Sequence, residues 1–214
     1  MRRLLLAIPL SLALAAPALA FVGPEQRSGD LDGDGGAETA RAARVDLPRI
    51  DDQFDQTDVR VSDSCGGQAI DQRILGPQDN LAVLRLRAAD TRPGREVFAD
   101  LRSGASGRLG EAGIVAWREA RGLPCRVPRR LFFYESRNPT REPRGTKGVT
   151  SFGVSLREQT RRYRGLEVTL DERFSGLTDP GYCGLTQKMT RYRYSGRLDR
   201  YVRYQTRIKS LRRR

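Results

Sequence analysis

The chain has 214 residues, with 39 Lys and Arg against 26 Asp and Glu, a formal charge of +13. At 38% hydrophobic and 30% charged residues it is neither a membrane bundle nor wholly disordered, and one domain is the first expectation. Histidine is absent, which excludes a Ser-His-Asp triad, a Cys-His pair, His-ligated zinc and an imidazole pH switch.

Residues 1–20 read as a secretory signal. Arg2 and Arg3 form a basic start, and the apolar run from Leu4 to Ala16 falls short of the roughly 20 residues that span a bilayer. Pro17-Ala18-Leu19-Ala20 then offers a small-x-small cleavage site, so export with cleavage after Ala20 is expected. In an oxidising compartment Cys65, Cys125 and Cys183 favour one disulfide with one thiol left over, and all three pairings stay open. Residues 21–29 read as a flexible lead and residues 30–214 as a single domain.

The sharpest local pattern follows at Asp30-Leu31-Asp32-Gly33-Asp34-Gly35-Gly36-Ala37-Glu38. Calcium takes six to eight hard oxygens, and acids at alternate positions turn their carboxylates to one side of a short loop. Asp30, Asp32, Asp34 and Glu38 supply carboxylates, the Gly36 carbonyl adds an oxygen, and Gly35 allows a sharp turn. An EF-hand would need Glu at the twelfth place, where Arg41 stands, so closure at the ninth suits a loop between two strands. The expected cofactor is a structural calcium ion.

These residues resemble the calcium loop of FG-GAP/VCBS repeats, the units of integrin-type propellers, where D-x-D-x-D-G-x-x-[DE] joins adjacent strands. The wider layout is similar to that of small secreted actinobacterial proteins opening with such a loop. The features shared are D-T-R-P-G-R-E-V-F at 90–98, G-A-S at 104–106 and a terminal Tyr/Arg hairpin. The resemblance implies degenerate propeller-like repeats. A second, eroded loop at 88–96 aligns Glu96 with Glu38, Asp90 with Asp32 and Arg92 with Asp34, Arg92 taking the place of the metal's charge.

Short runs with β character follow in order: 39–45, 57–63 with Val59 and Val61 on one face, 81–87, 96–102, 113–118, 130–135, 149–154 and 166–174. Residues 136–148, with two prolines, read as a polar loop. Ser155 and Glu158 form a capping box, Leu156 and Tyr163 lie seven apart, and Gly165 sits at a C′ place, so a short helix is expected near 156–164. Two alternating runs, 188–194 and 200–209, flank Ser195-Gly196-Arg197 as a hairpin. The fold class is therefore mainly β, built of antiparallel hairpins and sheets.

Charge divides the chain: residues 24–100 carry ten cations and sixteen anions, and residues 101–214 carry twenty-seven and ten. In the final hairpin Arg191 and Arg193 share one strand face and Tyr192 and Tyr194 the other, with Arg203 on the next strand. One reading is an anion-binding surface at Arg191, Arg193 and Arg203, for an anionic cell-wall or extracellular polymer or a nucleic acid. The plainer and preferred one is a half-buried hairpin with a solvated outer face. Glu167, Asp171 and Glu172 are carboxylates a glycoside hydrolase would need, but no spacing sets an acid beside a nucleophile. The leading expectation is a secreted, non-catalytic, calcium-stabilised binding module of the cell envelope or extracellular space. A carboxylate hydrolase and a polyanion binder are the alternatives.

Overall fold

Twelve strands follow one another in the computed structural model, which describes residues 26–45, 56–65, 68–79, 81–88, 90, 92–103, 109–119, 121–123, 125–137, 139, 141–158, 166–177 and 186–211. The first sheet holds β1 (Gln26–Gly29), β2 (Glu38–Val45), β3 (Gln56–Cys65) and β4 (Gln68–Asp79). The second holds β5 (Leu81–Arg87), β6 (Glu96–Ser103), β7 (Leu109–Glu119) and β8 (Arg126–Glu135). The third holds β9 (Thr146–Glu158), β10 (Leu166–Gly176), β11 (Thr186–Ser195) and β12 (Arg200–Ser210). Each sheet is an antiparallel meander in which every strand pairs with its neighbour in sequence. The protein is all-β, and among the described residues no sheet closes into a barrel.

Two apolar layers hold the sheets face to face. Between the first and second lie Ala40 and Ala42 of β2, Val59 and Val61 of β3, and Val97, Leu101 and Trp117 of the middle sheet. Between the second and third lie Phe98, Ile114 and Phe132, facing Phe152, Val168 and Leu170. The middle sheet is thus covered on both faces, which is why β7 reads as a continuous apolar run instead of alternating: residues 112–118 are all buried. Edge-on aromatic pairs tie the second layer together, Phe132 to Tyr192 with centroids 5.2 Å apart and Tyr194 to Tyr201 at 5.9 Å. Arg102 adds a polar rivet, forking onto Asp100 at 2.6 Å while its guanidinium lies 4.1 Å over the Phe152 ring of the third sheet.

Three expectations change. Residues 156–158 are strand, not helix, and 159–164 lie outside the described residues. Leu156 pairs with Val168 and Ser155 with Thr169, and Phe152, Val154 and Leu156 turn alternately to the aromatic layer. Burial with period two outweighs a capping signal good for one turn. The lead is not wholly irregular: Gln26–Gly29 is β1, its four residues paired with Arg41 to Glu38 of β2. The loop at 136–148 also ends early, because β9 begins at Thr146.

The final hairpin has a four-residue turn, Gly196 to Asp199, closed by the pair Ser195 and Arg200. A register shift between Arg191 and Tyr192 changes the alternation of β12. Val202 then lies opposite Arg193, Gln205 opposite Arg191 and Arg207 opposite Met189, all on the outer face, while Arg203 lies opposite Tyr192 on the other face.

Candidate metal centre and the arginine cavity beside it

The acidic segment joins β1 to β2, and its geometry follows from their register. Gly29 pairs with Glu38, so the chain leaves and re-enters the sheet at neighbouring positions and brings Asp30 beside Glu38. One carboxylate oxygen from each of Asp30, Asp32 and Glu38 lies within 4.8 Å of the others. Backbone amides hold the acids there: Gly33 and Gly35 donate to Asp30 at 2.6 and 3.2 Å, and Leu31 donates to buried Glu38 at 2.6 Å. Gly35 has φ 90°, a turn at the expected place.

Carboxylate oxygens are hard donors with more than one lone pair, so the donor set suits a hard dication such as calcium. Asp34 stands apart: it is exposed, and its Oδ1 accepts from the Gly36 amide at 2.6 Å. Three of the four expected acids are therefore gathered, and Asp34 and the exposed Gly36 form the solvent side of the loop.

The loop does not hang free. Leu31 is buried in the core layer between the first two sheets, and the Arg95 amide donates to the Asp30 carbonyl at 2.9 Å. Gly94, at φ 97°, comes so close that a Cβ there would stand 2.6 Å from the Leu31 carbonyl oxygen. On the far side a Cβ on Gly33 would meet Pro93 at 2.9 Å and the Arg126 guanidinium at 3.0 Å.

That neighbouring segment is the β5–β6 connection aligned above with the acidic loop, and the two share geometry. Glu96 opens β6 opposite Arg87 as Glu38 opens β2 opposite Gly29. Asp90 accepts from the Arg92 amide two residues on at 2.7 Å, as Asp32 does from Asp34 at 2.9 Å. The cation differs from the expected one. Arg118 of β7, buried, forms the ion pair with Asp90, whereas Arg92 projects from an exposed loop toward Asp199 at 3.7 Å.

Arg118 continues to Asp199, its Nε donating to both carboxylate oxygens at 3.1 Å. Asp199 also accepts from the Tyr194 hydroxyl at 2.5 Å and faces Arg129 at 3.4 Å. Burial alone would raise the Asp199 pKa, but the hydrogen bonds from Tyr194 and Arg118 and the charges of Arg118 and Arg92 hold it below the usual carboxylate range. Burial first, then the bond to Asp199, push the Tyr194 phenol up to about 12, so it remains a donor throughout the physiological range. Asp199 is the one non-glycine residue with positive φ among the described residues, at 46°, a conformation Asp tolerates.

Beside this network lies a cavity of about 420 Å³. Arg92, Arg118, Arg126, Arg129 and Arg197 line it, with Trp117, Glu119 and Asp199. Its walls come from the β5–β6 loop, the end of β7, the start of β8 and the β11–β12 turn. Sequence reasoning missed it. The excess of arginine after residue 100 was a signal, but which arginines converge depends on how the sheets stack.

The hairpin arginines do not form one patch. Arg191 and Arg193 flank Glu167 at 3.8 and 4.0 Å, Arg193 lies 3.9 Å over the Tyr204 ring, and the Tyr204 hydroxyl donates to Glu167. Arg203 is exposed on the opposite face. The three carboxylates have separate partners. Glu172 is fully buried, bonded by Lys188 at 2.9 Å and by Tyr134 at 3.1 Å. Glu167 and Asp171 lie four residues apart on one strand, roughly 13 Å along its backbone, Glu167 held by the Tyr204 hydroxyl and Asp171 accepting from Gln187 at 2.6 Å. Cys65 has no described side chain and Cys183 lies outside the described residues, while Cys125 is half-buried just before β8. Compared with family models, with curated proteins and with solved structures, the chain finds no match.

Proposed function

We propose that this protein is an exported, non-catalytic binding module of the cell envelope or extracellular space, its fold stabilised by calcium in the 30–38 loop. The observation that carries this reading is the convergence of Asp30, Asp32 and Glu38 within 4.8 Å on a loop seated against the next sheet. Those three residues would hold the ion, with the Gly36 carbonyl, water and a swung Asp34 completing its shell. The ion would supply charge neutralisation to three carboxylates gathered in one short loop. The FG-GAP/VCBS resemblance rests on the same loop. The export half of the reading rests on residues 1–20, and an exported chain would carry one disulfide among its three cysteines. The full burial of Glu172 does not favour the hydrolase alternative.

Calorimetric titration of calcium into the full chain tests the metal. One ion should bind with an affinity of about 10⁻⁴–10⁻³ M, the range of extracellular modules, and magnesium should bind more weakly. Asp32→Ala should abolish the binding. Absence of saturable calcium binding in the wild type would contradict the reading.

A further inference from the structure

Among the residues that line the cavity beside Asp199, cations outnumber anions. Five guanidinium groups line it, against the carboxylates of Glu119 and Asp199. Asp90 behind Arg118 accounts for one more, which leaves the lining with an excess of two positive charges, counted without the 30–38 loop beside Arg126. Asp199 is already saturated, with Arg118 at 3.1 Å and Arg129 and Arg92 waiting at 3.4 and 3.7 Å. Arg126 reaches Glu119 at 3.7 Å, and the Glu119 side chain is 88% exposed. Arg197, on the exposed turn, pairs with no carboxylate among the described residues.

We propose that this cavity binds a phosphate monoester. Guanidinium forks match phosphate and carboxylate oxygens in paired hydrogen bonds, and a concave basic wall focuses the field on an entering anion. A phosphate monoester carries about −1.5 to −2 at neutral pH and matches the excess of two, whereas a carboxylate leaves one charge over. The volume of about 420 Å³ exceeds what a lone phosphate fills and lies within the range of small-molecule pockets, so a sugar-sized body fits behind the anionic group. Arg118 is a positioning residue, held by Asp90 and Asp199 to form the floor. Arg129 and Arg197, both exposed, are the arms that reach the ligand. Both arms lie outside the acidic loop, which touches the cavity wall through Arg126 beside Gly33.

Calorimetry on the full chain with glucose 6-phosphate, inorganic phosphate, glucuronate and glucose tests this. Glucose 6-phosphate should bind one to one, at least tenfold tighter than glucuronate, and glucose should give no heat. Inorganic phosphate weaker than the ester shows that the body is also read; equal affinity overturns that part and leaves a site for the phosphate group alone. Raising the pH from 5 to 7 should tighten the ester, as its second proton leaves, and not glucuronate. Arg129→Gln and Arg197→Gln should each weaken the ester about tenfold. Arg207→Gln, on the outer face of the third sheet, should change nothing. No binding, preference for glucuronate, or equal losses in all three variants would overturn the proposal.

Discussion

Glu172 and Lys188 are an ion pair with almost no access to water, the two side chains 0% and 4% exposed and 2.9 Å apart. Lys188 also donates to the Arg141 carbonyl at 3.2 Å and lies 5.7 Å from the Phe174 ring centre, while Tyr134 donates to the other oxygen of Glu172. Burial raises the Glu172 pKa, opposed in part by Lys188 and Tyr134, so desolvation wins over pairing. Removing one partner strands a buried charge, which costs about 3–5 kcal/mol, whereas removing both is close to neutral. Lys188→Met should therefore lower unfolding stability by about that amount, and adding Glu172→Gln, which still accepts from Tyr134, should restore most of it. Urea denaturation of wild type, single and double variants measures the cycle, and additive losses would contradict it. None of this was legible beforehand. Glu172 follows Asp171 in an alternating strand, and only the stacking of β10 against the middle sheet separates the buried acid from the half-exposed one. The closeness of Asp30, Asp32 and Glu38 was legible, because they fall at short local spacing in one loop; the Asp90–Arg118 pair was not, because 28 residues separate its members.

Strands were easiest to read where one face is wet. Leu81–Arg87 and Leu166–Gly176 alternate and appear at nearly the expected bounds. β4, with Gly76 and Pro77 inside it, carries breakers that hide a strand, and β1 has four residues with three of them exposed. Contacts between connections were invisible in the sequence, although they seat the candidate metal loop. Gly94 is the test of that junction. With φ 97° and the Leu31 carbonyl where a Cβ would go, Gly94→Ala must push the two loops apart. It should lower stability by about 1–3 kcal/mol, the range for strained backbone, and weaken calcium binding, since Leu31 and Gly33 move with the acids. Equal stability and calcium affinity in the variant, read by urea melts and calorimetry, would mean that the loop is set by its own amides alone.

At the scale of the whole molecule, the three meanders stack so that the β1–β2 loop, the β5–β6 loop, the start of β8 and the β11–β12 turn meet on one side. An acidic cluster from the first quarter of the chain thereby stands next to arginines from the second half. The division of charge along the sequence is thus folded into two adjoining sites. The central claim is that a cation in the acidic loop stabilises the stack, because Leu31 carries that loop into the core layer between the first two sheets. A ligand that binds only the folded state stabilises it by about 1.4–2.7 kcal/mol at 10–100 times its dissociation constant. For a chain of this size that is a rise in Tm of about 3–10 °C. The direct measurement is a melting curve of the full chain in 10 mM calcium and again in chelator. The account predicts a higher Tm in calcium, a smaller rise in magnesium, and no rise for Asp32→Ala. Superimposed curves for the wild type with calcium and with chelator would contradict it.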